Sequence, residues 1–232
     1  MIVLTGVSKI YKSGEVETAA LKNINLTIGE GEFVVILGPS GSGKSTLLNV
    51  ISGLDTVTSG KIMFRDENLT DLSEDEMTEF RREHLGFIFQ QYNLLQNLTV
   101  YENVQIGSDI GKNPLDIDEL LGKVGLTAAR NKYPHQLSGG EQQRVSVARS
   151  LAKNPDIIFC DEPTGSLDEQ NSKQVLRVLQ ELNIEYKKTV VVITHNTGIS
   201  AMADKVIRMN SGIITDIEIN KVKINAQDIE WG

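Results

Sequence analysis

The sequence predicts an α/β fold: a mixed, largely parallel sheet with an N-terminal antiparallel β subdomain and an inserted helical subdomain. Three observations lead there. Residues 33–37, 157–160 and 190–193 are short, wholly apolar runs, each flanked by helical patterns. Strands that are apolar on both faces belong in a parallel sheet covered on both sides. Residues 2–7, 24–28 and 61–64 instead partly alternate, as in Ile24, Leu26 and Ile28, which suits antiparallel strands with one wet face. The stretch from about 71 to 154 carries helical patterns at 74–83, 100–104, 117–124 and 139–152, with few strand signals. The expected division is therefore a core over 1–70 and 155–215 with its antiparallel β subdomain, a helical lobe over about 71–154, and a tail over 216–232.

Composition sets bounds on this chain of 232 residues. At 40% hydrophobic it can bury a sizeable core, and its net charge of −8 argues against a general nucleic-acid binder, which needs a basic face. Cys160, the single cysteine, lies in an apolar run and is expected to be a buried hydrophobe. No run approaches the roughly 20 apolar residues that span a bilayer, and residues 1–6 do not resemble a signal peptide. A soluble, cytoplasmic chain is expected, with any membrane role coming through a partner.

Taken in order, the elements carry their chemistry at their ends. The apolar run at 33–37 leads into Gly38-Pro39-Ser40-Gly41-Ser42-Gly43-Lys44-Ser45-Thr46, after which Thr46-Leu47-Leu48 begins a helix. Glycines let the backbone fold round an anion, and the first amides of a helix are unpaired and carry partial positive charge. A strand, a Gly-rich turn and a helix start together make a phosphate cradle. Lys44 adds a point charge for the β- and γ-phosphates, and Ser45 a hydroxyl for Mg²⁺.

In the helix-rich stretch, the strand-like run at 85–89 precedes Gln90, whose amide oxygen can reach Mg²⁺ or an attacking water; a solvent-exposed glutamine is the plain alternative. Ser138 with Glu141 three residues on is a capping box. Gly139 and Gly140 between them leave amides open for a second anion; an ordinary capped helix would look the same.

Two further strand ends are polar. Residues 157–160 run into Asp161-Glu162, adjacent acids that are costly at an apolar strand end unless they face a cation. Asp161 is expected to hold Mg²⁺ through water, and Glu162 to orient and deprotonate an attacking water; the alternative is a cap on the next helix. His195, after the run at 190–193, is expected to donate to the γ-phosphate, although a lone histidine is often structural. Ligands bind at the carboxyl ends of parallel strands, so these groups should share one edge of the sheet. The pattern at 206–214, with Asn210-Ser211-Gly212 at its turn, reads as a hairpin. The tail after Asp216 is polar with isolated apolar residues and Trp231.

The loop 38–46, Gln90, Leu137-Ser138-Gly139-Gly140-Glu141-Gln142-Gln143-Arg144, the run at 157–162, Ser166-Leu167-Asp168 and His195, in this order, resemble the nucleotide-binding subunit of an ATP-binding cassette (ABC) transporter. The resemblance covers nearly the whole chain and departs from the family at no motif. It implies a P-loop NTPase core, ATP and Mg²⁺ as cofactors, and Tyr11 as the aromatic that stacks on adenine. It implies too that two such domains, a homodimer or a pair of similar ATPases, bind head to tail around two ATP molecules. Each site then joins one phosphate loop to the Ser138, Gly139, Gly140 and Glu141 of the other domain.

Residues 86–95 and 161–168, with Ile229-Glu230-Trp231, resemble the macrolide-exporter and lipoprotein-release group. That resemblance implies an ATPase on the inner face of the cell membrane driving an integral membrane permease, for export or efflux of a peptide, macrolide or lipoprotein-type cargo. A regulatory cassette signalling through a membrane partner in cell division is the alternative, and a DNA- or ribosome-associated cassette a more distant one.

Overall fold

The computed structural model describes residues 1–231. In chain order its elements are β1 (Ile2–Ser13), β2 (Val16–Ile28), β3 (Phe33–Leu37), α1 (Lys44–Ile51), β4 (Ser59–Phe64), β5 (Glu67–Asn68), α2 (Glu74–His84), β6 (Leu85–Phe89), α3 (Val100–Ile110) and α4 (Ile117–Lys123). They continue with α5 (Gly139–Ala152), β7 (Ile157–Asp161), α6 (Glu169–Tyr186), β8 (Thr189–Thr194), β9 (Lys205–Asn210) and β10 (Ile213–Ile219).

Two sheets result. The antiparallel one has the order β2-β1-β4-β5, and the second has the order β10-β9-β3-β8-β7-β6. In the second sheet every pair from β9 to β6 is parallel and only the β10–β9 hairpin is antiparallel.

The apolar strands are explained by what covers them. Successive side chains of a strand point to opposite faces. Phe33, Val35, Leu37, Ile158, Cys160, Val190 and Val192 enter one core with residues of α3, α4, α5 and α6. Val34, Ile36, Ile157, Phe159, Val191 and Ile193 enter the other, with α1 and the antiparallel sheet. Neither face meets water, so both favour apolar residues, and the buried Thr189 at the start of β8 is hydrogen-bonded, accepting from the Gly31 amide at 2.9 Å. The two-faced burial is what the three wholly apolar runs encode.

Helix starts follow the side-chain chemistry. Reciprocal capping boxes open α2 (Ser73 with Glu76), α3 (Thr99 with Glu102) and α5 (Ser138 with Glu141), while the Asp116 and Asp168 side chains cap α4 and α6. Each cap satisfies amides that a helix cannot pair internally.

Within residues 71–154 the structure departs from the sequence reading. Phe80 of α2 is buried in the core that faces the antiparallel sheet. β6 is the edge strand of the six-stranded sheet, paired in parallel with β7 from Leu85–Ile157 to Phe89–Asp161. The helices packed on the other face begin only at α3. The tail, silent in sequence, folds back onto α6: Gln180 donates to the Ile224 carbonyl at 3.0 Å and accepts from the Ala226 amide at 3.1 Å, and Ala226 and Ile229 are buried. No helix of the described residues is long and apolar enough to cross a membrane.

Candidate active site

β3 is buried along its whole length and hydrogen-bonded on both sides, to β8 and β9, so the loop that follows leaves from a fixed point. The Ser42 amide donates to the Pro39 carbonyl at 3.2 Å and the Gly212 amide to the Ser42 carbonyl at 3.0 Å. Gly43, the N-cap of α1, has φ +100, and a Cβ there would stand 2.6 Å from the Ala20 carbonyl oxygen. Only glycine fits where strand β2 comes this close. Lys44 is 8% exposed. Its ammonium donates to the Gly38 and Pro39 carbonyls at 2.7 and 3.0 Å. Among the described residues no side chain caps α1, and its first turn holds no acid. The first amides of α1 thus have no side-chain acceptor and carry the partial positive charge of a helix start.

A cavity of about 730 Å³ opens over this loop, a volume in the range of small-molecule sites. Ser40, Gly41, Ser42, Gly43, Lys44, Ser45 and Thr46 line it from one side and Asp161, Glu162 and His195 from the other. Gly38 lies behind it, holding Lys44 through its carbonyl.

The acids are under electrostatic load. Burial pushes the Asp161 carboxyl above its ordinary range, and the neighbouring Glu162 charge pushes the same way; Lys44 and a hydrogen bond with Ser45 pull it back only in part. Such a carboxylate fits a cation. Among the described residues no three His, Cys, Asp or Glu side chains are grouped to hold a metal alone. The donors at hand are oxygens, Ser45 beside Asp161, which suits Mg²⁺ completed by phosphate and water.

Glu162 sits at φ +49, the left-handed region, where a non-glycine residue is strained by about 1–2 kcal/mol. Its amide donates to the Ile193 carbonyl at 2.9 Å. One carboxylate oxygen, Oε1, lies 3.0 Å from His195 Nδ1. The other, Oε2, is buried with no hydrogen-bond partner among the described residues. Buried polar atoms are nearly always paired, so this oxygen is poised for something the site receives.

Other expected residues stand outside the cavity. Tyr11 is exposed on β1, and its hydroxyl donates to Asp55 Oδ2 at 2.7 Å. Gln90 follows β6 with its side chain against Gly165, where a Cβ would meet Nε2 at 2.9 Å. Ser138 and Glu141 are engaged with each other: Glu141 Oε2 accepts from the Ser138 amide at 2.8 Å and from its hydroxyl at 2.9 Å. The amide bond holds the Glu141 carboxyl below its usual range. Gly139 and Gly140 form the first turn of α5, away from the cavity over β3.

Cavity residues missed in sequence are Thr18, Ala19, Ala20 and Lys22 of β2, and Ser211 and Gly212 of the β9–β10 turn. Their strand is irregular here, the pairing with β1 skipping Ala20 between Lys9–Leu21 and Ile10–Ala19, so no simple alternation marks them in sequence. No local signal places the hairpin turn here, because it arrives through the pairing of β9 with β3.

Residues 21–165 match the ABC transporter family. A putative ABC transporter ATP-binding protein of Mycoplasma pneumoniae is 45% identical over 100% of this chain and 50% of its own length. The macrolide export ATP-binding/permease protein MacB of Bdellovibrio bacteriovorus is 42% identical over 94% of this chain and 34% of its own length. The chain thus spans half of the first relative and about a third of the second. Among solved structures, the ATP-binding cassette MJ0796 of Methanocaldococcus jannaschii, a dimer in a post-hydrolysis state bound to ADP and Pi, superimposes with a TM-score of 0.84 at 42% identity, covering 94% of this chain and 98% of that one.

Proposed function

Because this chain belongs to the ABC transporter family, we propose that it hydrolyses ATP to drive a membrane permease, and that it does so as a head-to-tail dimer. The observation that carries the catalytic part is Glu162: backbone-strained, with Oε1 on His195 and Oε2 buried and unpartnered, in the same cavity as Lys44 and Ser45.

The loop amides, the start of α1 and Lys44 bind the phosphates, the ammonium exchanging its two loop carbonyls for phosphate oxygens. Ser45, Asp161 and Gln90 would hold Mg²⁺, which neutralises charge on the phosphates when bound. Glu162 orients the attacking water through Oε2 and takes its proton. His195 holds Oε1 of the base through Nδ1 and leaves its other ring nitrogen for the γ-phosphate. Tyr11 stacks on the adenine ring.

The dimer explains the residues outside the cavity. Ser138, Gly139 and Gly140 present a helix start with no phosphate loop of their own subunit beside it, so they complete the site of a partner copy or a similar ATPase. The dimer of the related cassette with ADP and Pi supports this reading. The permease portion of the related macrolide exporter supports a membrane partner, export as the direction of work, and a station on the inner membrane face. Replacing Glu162 by Gln tests the base: the variant should bind ATP and lose turnover, and hydrolysis at the parent rate would refute the assignment.

A further inference from the structure

Gln143, in the second turn of α5, is fully buried at 0% exposure. Its Nε2 donates to the Pro163 carbonyl at 2.8 Å and to the Phe89 carbonyl at 3.3 Å. Two carbonyls can accept only from the amide nitrogen, so the orientation of the side chain is unambiguous. Oε1 is left buried without a partner among the described residues. A buried amide with an unpaired acceptor is costly, and a helix residue facing a core would ordinarily be apolar.

What the two carbonyls have in common is their position. Pro163 follows Glu162, and Phe89 precedes Gln90. A residue at φ +49 persists only where its surroundings over-determine it. The Glu162 amide is tied to the Ile193 carbonyl at 2.9 Å, and the Glu162 carbonyl accepts from the Gly165 amide at 3.0 Å. The bond from Gln143 fixes the next peptide along, the one that closes the strained turn on its carboxyl side.

We propose that Gln143 is a positioning residue for hydrolysis: its amide clamps the peptide after Glu162 and the one before Gln90, setting the two residues in register from the helix that Ser138 opens. The proposal rests on the assignment of Glu162 as the base. Gln143 touches neither nucleotide nor water; it acts through the backbone of residues that do.

The test is Gln143→Met, which keeps length and removes both donors. With the base misaligned and the phosphate cradle intact, kcat should fall about tenfold, equivalent to about 1.4 kcal/mol. KM for ATP should stay within about twofold, measured well below the melting temperature. In the Glu162→Gln background the same change should lower the residual rate by clearly less than tenfold, because one of the two residues it positions is already disabled. A parent-like kcat overturns the proposal, as does a rise in KM matching the fall in kcat, or a full additional loss in the Glu162→Gln background. Should Gln143→Met fail to fold, Gln143→Glu probes the clamp with at most one donor in place of two. A carboxyl donates only when protonated, so its rate relative to the parent should climb from pH 8 to pH 6; a flat ratio overturns the proposal. If Glu162→Gln itself turns over normally, the base assignment fails first, whatever Gln143 does.

Discussion

Substituting Gly43 by Ala tests how the phosphate loop is held. At φ +100 an alanine is strained by about 1–2 kcal/mol. The added methyl would also lie 2.6 Å from the Ala20 carbonyl oxygen and 3.3 Å from Leu21 Cδ2. Ala20 is strand backbone and cannot swing away, so relief needs a shift of β2 or of the loop, and such overpacking costs about 1–3 kcal/mol. Together these come to about 2–5 kcal/mol, and at about 2–4 °C per kcal/mol the melting temperature should drop by about 4–20 °C. KM for ATP should rise, because the α1 amides and Lys44 move with the loop. Gly14→Ala is the control. Gly14 has φ +60, but nothing lies within 4 Å of the added Cβ, so only the strain of about 1–2 kcal/mol applies. Calorimetry on both variants separates the two causes. Equal melting temperatures and a parent-like KM for Gly43→Ala would refute the close-approach argument.

Two predictions follow from shifted ionisations. The Asp161 carboxyl is raised in the folded state by burial and by Glu162, so its favourable contribution exists below the unfolded value and is lost as pH rises through the folded one. Asp161→Asn should therefore melt higher than the parent without nucleotide at pH 7, and should lose turnover. A lower melting temperature would contradict the electrostatic reading. Burial lowers the Lys153 ammonium from 10.5 to about 8, with its Nζ on the Arg81 carbonyl at 3.0 Å. The folded state then releases this proton before the unfolded chain does, so stability should rise with pH above about 8, relative to Lys153→Met. Parallel melting curves for the two proteins from pH 8 to pH 10 would count against it.

The strands of the parallel sheet were legible in sequence because their cause is local: side chains buried on both faces must all be apolar, and residues 33–37, 157–160 and 190–193 are. The cradle was legible for the same kind of reason, since Gly43, Lys44 and Ser45 answer to a turn and an anion within one short segment. What escaped depends on pairing between distant segments. Leu85–Phe89 reads as strand, yet helical patterns on both sides assigned it to the helical lobe; only its partner β7 places it in the parallel sheet. The approach of Ala20 and Gly212 to Gly43 comes from β2 and from the β9–β10 turn, and no spacing in the loop announces either. Tail residues Ala226 and Ile229 look isolated in a polar segment because their partners lie on α6.

Gln143 is a case of a different kind. The sequence marks it only as one polar residue in a capped helix, and its significance appears once the Phe89 and Pro163 carbonyls are seen to converge on it.

The most direct measurement concerns association. A single copy holds the phosphate loop and acids in one cavity and Ser138–Gly140 elsewhere, and on the proposed reading closure around ATP takes two chains. Sedimentation of the Glu162→Gln protein with ATP and Mg²⁺ should give a dimer that reverts to monomer with ADP. A monomer under both conditions, at concentrations well above KM for ATP, would contradict the account.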